Sequence, residues 1–251
     1  MCSANGAWRR RLTRQFARAL VEHRLLAPHD RILVALSGGK DSWALLDLLL
    51  RWSKSCPFPV HIAAVHIALG PDADKRTAQI ALGVQRFGVP LHIRRTQIAE
   101  TVRQKLTPGC SPCALCSRLR RGALLKTART ESHNVIALGH HADDMIETFL
   151  LNLFFTGRLG TMPAAMTAGT DSINIIRPMC YCANTDITSL ANSLNIPYDT
   201  GVCALGADAG SERLNIRKLL AQIAPENPHA RGNILRAIHD LIGTKNFRLP
   251  S

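Results

Sequence analysis

The densest chemical signal in the sequence is the hexapeptide Ser37-Gly38-Gly39-Lys40-Asp41-Ser42. It follows Arg31-Ile32-Leu33-Val34-Ala35-Leu36, an apolar run suited to a strand buried on both faces. It precedes residues 43–52, whose apolar side chains recur at helical spacing. Glycines at a strand-to-helix turn let backbone N–H groups close around a phosphate, and the helix N-terminus adds partial positive charge. Ser37 and Ser42 supply hydroxyl donors, while Lys40 supplies a full positive charge. The Walker pattern is not met, because Asp41 follows the lysine, and the segment is not the Gly-x-Gly-x-x-Gly of dinucleotide sites. The chemistry expected is capture of a nucleotide's phosphates. The bland alternative, a surface turn that happens to hold two glycines, fits poorly with a position between a buried strand and a helix.

A second cluster is Cys110, Cys113 and Cys116, two overlapping C-x-x-C pairs followed by Ser117-Arg118-Leu119-Arg120-Arg121-Gly122. Such pairs serve zinc, iron–sulfur or dithiol chemistry alike. No second C-x-x-C completes a four-thiolate zinc site, although Cys180, Cys182 and Cys203 remain. Which two of the three clustered cysteines act together is open at this level. Cys2, Cys56, Cys180 and Cys182 read as small buried hydrophobes. A third cluster is Gly139-His140-His141-Ala142-Asp143-Asp144. Magnesium on nucleotide phosphates takes one or two carboxylates, which Asp143, Asp144 and Asp41 could provide; the same pair could instead cap the helix that begins there. One of the two histidines is expected to pack or to stack on a base. Lys126, Lys218, Arg213 and Arg217 read as solvated charges unless a polyanion covers them, whereas Arg118, Arg120 and Arg121 stand where one would approach the cysteines.

The loop after its Ile-Leu-Val-Ala-Leu strand resembles the PP-loop of the ATP-pyrophosphatase superfamily. Cys113-Ala-Leu-Cys116-Ser-Arg-Leu-Arg-Arg-Gly122, Leu138 to Asp144, and Ile176-Arg177-Pro178 with Tyr181-Cys182 resemble the TtcA family of tRNA 2-thiocytidine biosynthesis proteins, over about residues 12–220. The resemblance implies ATP-dependent 2-thiolation of cytidine 32 in tRNA through an adenylated base. ATP and Mg²⁺ would lie on Ser37 to Ser42, Gly139 and His140. A 4Fe-4S cluster would be held by three cysteines with one iron open. Two ligands would be Cys113 and Cys116, and Cys203-Ala204-Leu205-Gly206 matches the third. Asp143 and Asp144 join these cysteines as catalytic candidates. The resemblance also implies a homodimer, a tRNA partner and a sulfur donor, either a cysteine desulfurase or sulfide. Two departures stand out: Gly206 replaces a frequent family cysteine, and Ala68 replaces an aspartate that commonly ends the second strand. The rival readings are a tRNA 2-thiouridine synthetase, which typically carries zinc modules at both ends, a non-catalytic zinc-stapled nucleotide- or RNA-binding module, and a lysidine-type tRNA ligase, which has no need of the cysteines.

The elements that must position these residues alternate. Strands are expected at 31–36, 60–69, 91–95, 134–139 and 174–177, with helices at 7–26, 43–52, 77–87, 117–130 and 143–155 and a cysteine-rich loop at 107–116. Alternation implies an α/β fold: a doubly wound parallel sheet with helices on both faces, of the PP-loop (adenine nucleotide alpha hydrolase-like, HUP) type that the resemblance names. Ligands of such sheets bind beyond the carboxyl ends of the strands, where the three clusters should converge. The expected division is a basic N-terminal helix (1–27), a PP-loop domain (28–182) and a mostly helical extension (183–251) carrying Cys203. Lys and Arg total 31 against 18 Asp and Glu, a net charge of +13, which favours a polyanionic partner. Arg9, Arg10, Arg11, Arg14 and Arg18 all precede the first acid, Glu22, and fit an integral basic helix better than a transit peptide. No apolar run reaches 18 residues, so no membrane-spanning helix is expected; a cytoplasmic location with reduced thiols is.

Overall fold

The computed structural model describes residues 4–70, 74–106, 112–168, 173–198 and 211–243. Its centre is β1 (Arg31–Ala35), in which Ile32, Leu33 and Val34 are wholly buried. The strand is apolar on both faces because both faces are covered. Around it lie β2 (His61–Ala68), β3 (Leu91–Arg95), β4 (Val135–Ala137), β5 (Ala165–Ala168) and β6 (Ile173–Ile176), in the order β3-β2-β1-β4-β6-β5. All neighbours pair in parallel except β5 with β6, which are antiparallel. The parallel sheet expected from the sequence is thus present, with one antiparallel strand added at its edge. Only residues 169–172 separate the two strands, too few for the crossover that a parallel pair requires.

The helices are α1 (Ala4–Glu22), α2 (Lys40–Ser53), α3 (Asp74–Gln85), α4 (Ile98–Lys105), α5 (Pro112–Thr130), α6 (Ala142–Thr156), α7 (Asn184–Ser193), α8 (Ser211–Ile223) and α9 (Ala230–Gly243). One face of the sheet carries α1, α2 and α7, whose Leu12, Phe16, Leu45, Leu49, Ile187 and Leu190 pack on Ile32 and Val34. The other carries α4 and α5 against Leu33, Val65, Ile67 and Ile136. A third apolar cluster joins α6 to α8 and α9 through Phe149, Leu150, Ile216, Leu220 and Ile238. The basic helix α1 is therefore integral, with its apolar stripe buried and Arg11 reaching Asp186 of α7 at 2.5 and 2.7 Å.

Beside the unanticipated β5, two helices differ from the sequence expectation. Helix α4 was not anticipated, and α5 starts at Pro112, so Cys113 and Cys116 lie in a helix rather than a loop. Proline suits the first helical position, where its missing N–H would be unpaired anyway. Leu115, Cys116, Leu119 and Ala123 then fall on one stripe against the sheet. The far end of α5 is tied to the amino edge of the sheet, where the Arg31 Nε donates to the Ser132 carbonyl at 2.7 Å and the Arg31 amide donates to Asn134 Oδ1 at 2.8 Å. The cysteine end of α5 consequently points toward the carboxyl edge, where β1 delivers the phosphate loop.

Candidate nucleotide and cysteine site

The phosphate loop is built by two glycine-dependent contacts. Gly38 adopts φ +86°, and a Cβ there would lie 3.0 Å from Ile80 and 3.1 Å from Arg76 of α3. Gly139, following β4, approaches the first turn of α2 so closely that a Cβ would sit 3.2 Å from the Asp41 carbonyl. Within the loop the Gly39 amide donates to Ser37 Oγ at 3.3 Å and the Ser42 hydroxyl donates to the Gly39 carbonyl at 2.8 Å. Among the described residues no side chain caps α2, so its N-terminal dipole is available to an anion.

Around that helix end the charged residues form one network. The Lys40 ammonium donates to Asp41 Oδ1 and to Asn184 Oδ1, each at 2.5 Å. The Asn184 amide donates to Asp143 Oδ2 at 2.9 Å, and the other Asp143 oxygen pairs with Arg231 of α9. Asp144 accepts the His141 amide at 2.9 Å and closes the first turn of α6. His141, only 5% exposed, stands among three carboxylates: Asp41 at 3.7 Å, Asp144 at 3.6 Å and Asp143 at 3.9 Å. Asp143 and Asp144 thus both serve as helix caps, Asp144 for its own helix and Asp143 for α7, while also facing the nucleotide loop.

His140, His66 and Arg177 nearby are tuned by burial. Loss of solvent pushes His140 down to about 4, aided by the Arg177 charge and opposed by Asp144, and its Nδ1 is buried without a hydrogen bond. His66 on β2 is also lowered by burial; its Nδ1 meets the Leu36 carbonyl at 2.9 Å, just before the loop. Arg177 is 3% exposed and donates to the Pro163 carbonyl at 2.7 Å. Arg213 and Arg217 are not freely solvated as expected. Arg217 pairs with both oxygens of the buried Glu147 at 2.6 and 3.1 Å, and Arg213 approaches the same carboxylate at 3.5 Å. A carboxylate inside the α6–α8 contact requires such counter-charges.

Cys113 and Cys116 occur three residues apart on α5, both half-buried, which places them on one helix face with Cβ atoms about 5–6 Å apart. Cys116 packs in the same apolar cluster as Ala35 and Leu138, the residues that lead into the phosphate loop and into Gly139. Cys110 and Cys203 lie outside the described residues. Among the described residues no three His, Cys, Asp or Glu side chains form a ready metal cage. Cys180 and Cys182 are buried, and burial pushes the Cys180 thiol up to about 12 and raises Cys182 as well, so neither offers a thiolate. Of the groups not singled out from sequence, Asn184 and Arg231 carry no local signal, because their partners are distant in the chain. His66 had one: a lone imidazole in an otherwise apolar strand.

Residues 9–221 match the PP-loop domain family. The tRNA-cytidine(32) 2-sulfurtransferase of Dichelobacter nodosus is 38% identical over 231 residues, covering 91% of this chain and 85% of that protein. The enzyme of the same name from Syntrophotalea carbinolica is 34% identical over 229 residues, 91% and 88% of the two chains. The U34-tRNA thiolase NcsA of Methanococcus maripaludis, solved with its 4Fe-4S cluster, shares the fold with a TM-score of 0.76 at 19% identity, over 98% of this chain and 82% of that one. A PP-loop match over most of the sequence, with relatives of one name above 30% identity along nearly its whole length, places this chain in the tRNA-cytidine(32) 2-sulfurtransferase family of PP-loop proteins.

Proposed function

We propose that the protein is an ATP-dependent tRNA sulfurtransferase that converts cytidine 32 of tRNA to 2-thiocytidine. The observation that carries this reading is an uncapped α2 N-terminus with Lys40, joined to α5 through the apolar cluster that holds Cys116 with Ala35 and Leu138. The C2 carbonyl oxygen of a pyrimidine is a poor leaving group. Its attack on the α-phosphorus of ATP forms an O-adenylated base and expels pyrophosphate. The α2 amides and Lys40 stabilise the charge on the departing pyrophosphate. Sulfur then adds to C2, and AMP departs with the original oxygen.

Magnesium fits the carboxylates of Asp41, Asp143 and Asp144, of which one or two would complete a shell supplied mostly by phosphates and water. Their convergence on His141 within 3.9 Å is the structural support. A 4Fe-4S cluster fits Cys113 and Cys116, a chelating pair from one helix face, with Cys203 as third ligand; when bound it supplies an open iron for sulfide. His140 is held neutral at physiological pH by burial and suits contact with a base rather than a phosphate. Arg118 and Arg121, exposed on α5 beyond the cysteines, would meet tRNA phosphates, and a cysteine desulfurase or free sulfide would provide the sulfur. We assign the working form as a cytoplasmic homodimer.

Mass analysis of tRNA nucleosides from cells with and without the gene tests the function. 2-Thiocytidine should vanish on deletion, return with the wild-type gene, and fail to return with Lys40→Ala. Loss of a 2-thiouridine instead would overturn the base assignment.

A further inference from the structure

We infer that Asn184 is the positioning residue of the phosphate-loop lysine, a role that rests on the ATP-binding part of the reading above. Helix α7 has Ala183 at its N-cap, and this residue offers no side-chain acceptor for the first amides. The Asn184 amide is satisfied across the fold by Asp143 Oδ2 at 2.9 Å, and Asp143 is itself held by Arg231 of α9. The Asn184 backbone is thereby fixed, and its side chain is aimed at the loop. Its Oδ1 accepts from the Lys40 Nζ at 2.5 Å, while Asp41 Oδ1 accepts from the same ammonium, also at 2.5 Å.

Lysine has one of the largest rotamer entropies of any side chain, and an ammonium left free above the loop would lose that freedom on meeting a phosphate. Two acceptors on one ammonium remove much of it beforehand. Asp41 is the next residue and moves with α2, so it cannot fix Lys40 relative to the rest of the site. Asn184 can, because α7 packs along α2 and is pinned to α6 and α9 through Asp143. The path Arg231–Asp143–Asn184–Lys40 therefore connects the C-terminal helix to the nucleotide charge.

ATP affinity of the full-length protein, measured by calorimetric titration with Mg·ATP, tests this in a double-mutant cycle with melting temperature as the folding control. Asn184→Ala is expected to weaken ATP binding about tenfold in the wild-type background, as befits loss of a hydrogen bond to a charged group, and to have no further effect in a Lys40→Ala background. Asn184→Asp keeps an acceptor of the same length at a helix N-terminus and should bind ATP more tightly than Asn184→Ala. An equal loss in both backgrounds would show that Asn184 acts through α7 packing alone and would overturn the proposal. So would Asn184→Asp binding as weakly as Asn184→Ala. Wild-type affinity in Lys40→Ala would remove the phosphate-loop reading, and the role of Asn184 with it.

Discussion

At the scale of single residues, Lys40 and His140 make opposite uses of their surroundings. Lys40 is a quarter exposed and stands at the uncapped N-terminus of α2. Lys40→Ala should lower Mg·ATP affinity by at least about tenfold, since a charge-assisted contact to phosphate contributes about 1.5–3 kcal/mol, and Asp41→Ala should lower it as well by removing a magnesium carboxylate and the partner of Lys40. Unchanged affinity by calorimetry would remove the central argument. His140 is held neutral, its value lowered from 6.5 to about 4. The unfolded chain takes up this proton near pH 6.5 and the folded one only near 4, so the stabilisation is complete above pH 6.5 and is lost as pH falls toward 4. The amount is on the order of 3 kcal/mol. Burial lowers His23, His66 and His133 too, so all four act in the same direction. His140→Gln should flatten the decline of melting temperature between pH 6.5 and 4; an identical slope would show that the other three dominate.

Among the elements, the contact between β4 and α2 matters most, because it sets where the loop sits. Gly139 permits that contact, and an added Cβ would press on backbone atoms of Asp41 and Ser42 at 3.2–3.3 Å, which cannot rotate away as a side chain could. Gly139→Ala should therefore cost about 1–3 kcal/mol of stability and shift the α2 N-terminus. Chemical denaturation together with ATP titration would show both losses; a variant with native stability and ATP affinity would mean that the first turn of α2 can shift away from Gly139 at no cost. Helix α6 carries a different duty. Its Asp143 caps α7, its Asp144 caps itself and its Glu147 gathers Arg213 and Arg217, so a single face of one helix joins the sheet to α7, α8 and α9.

For the whole molecule, net charge and the cysteine set each carry a prediction. A net charge of +13 predicts tRNA binding whose logarithm falls linearly with log salt, by about 0.7–0.9 for each phosphate neutralised. Reversing Arg118 or Arg121 should weaken binding to every tRNA and reduce the slope by about that amount; a flat salt titration would assign the basic surface another role. The cysteines make a compositional prediction as well. Anaerobically purified protein should be brown, hold about four irons per chain and bleach in air. Cys113→Ala, Cys116→Ala and Cys203→Ala should each abolish thiolation while ATP affinity persists, because the phosphate loop is a separate element. If Cys110→Ala destroys the cluster and Cys116→Ala does not, the ligand pair is shifted by one. One zinc and no iron would exclude the open-iron route.

The sequence alone determined what depends on neighbours along the chain. An apolar run, two glycines and a helical stripe specify strand, loop and helix within about twenty residues, so β1, the phosphate loop and α2 were legible with their chemistry. The same holds for α6, whose acids stand at its first turn, and for the spacing of the clustered cysteines, though not for the helix that carries Cys113 and Cys116. A proline-led helix with a weak apolar stripe looks locally like a loop. Only the tertiary structure decided β5, a four-residue edge strand without a β-branched run that exists because β6 offers it a ladder. It alone decided that Asp143 caps a helix 41 residues away and that Glu147 is buried under Arg217, 70 residues on. It alone placed Asn184, 144 residues from Lys40, against that lysine. Local periodicity records which face of an element is apolar, whereas a polar side chain's partner is fixed only when the packed sheet and helices bring distant charges into one dry space.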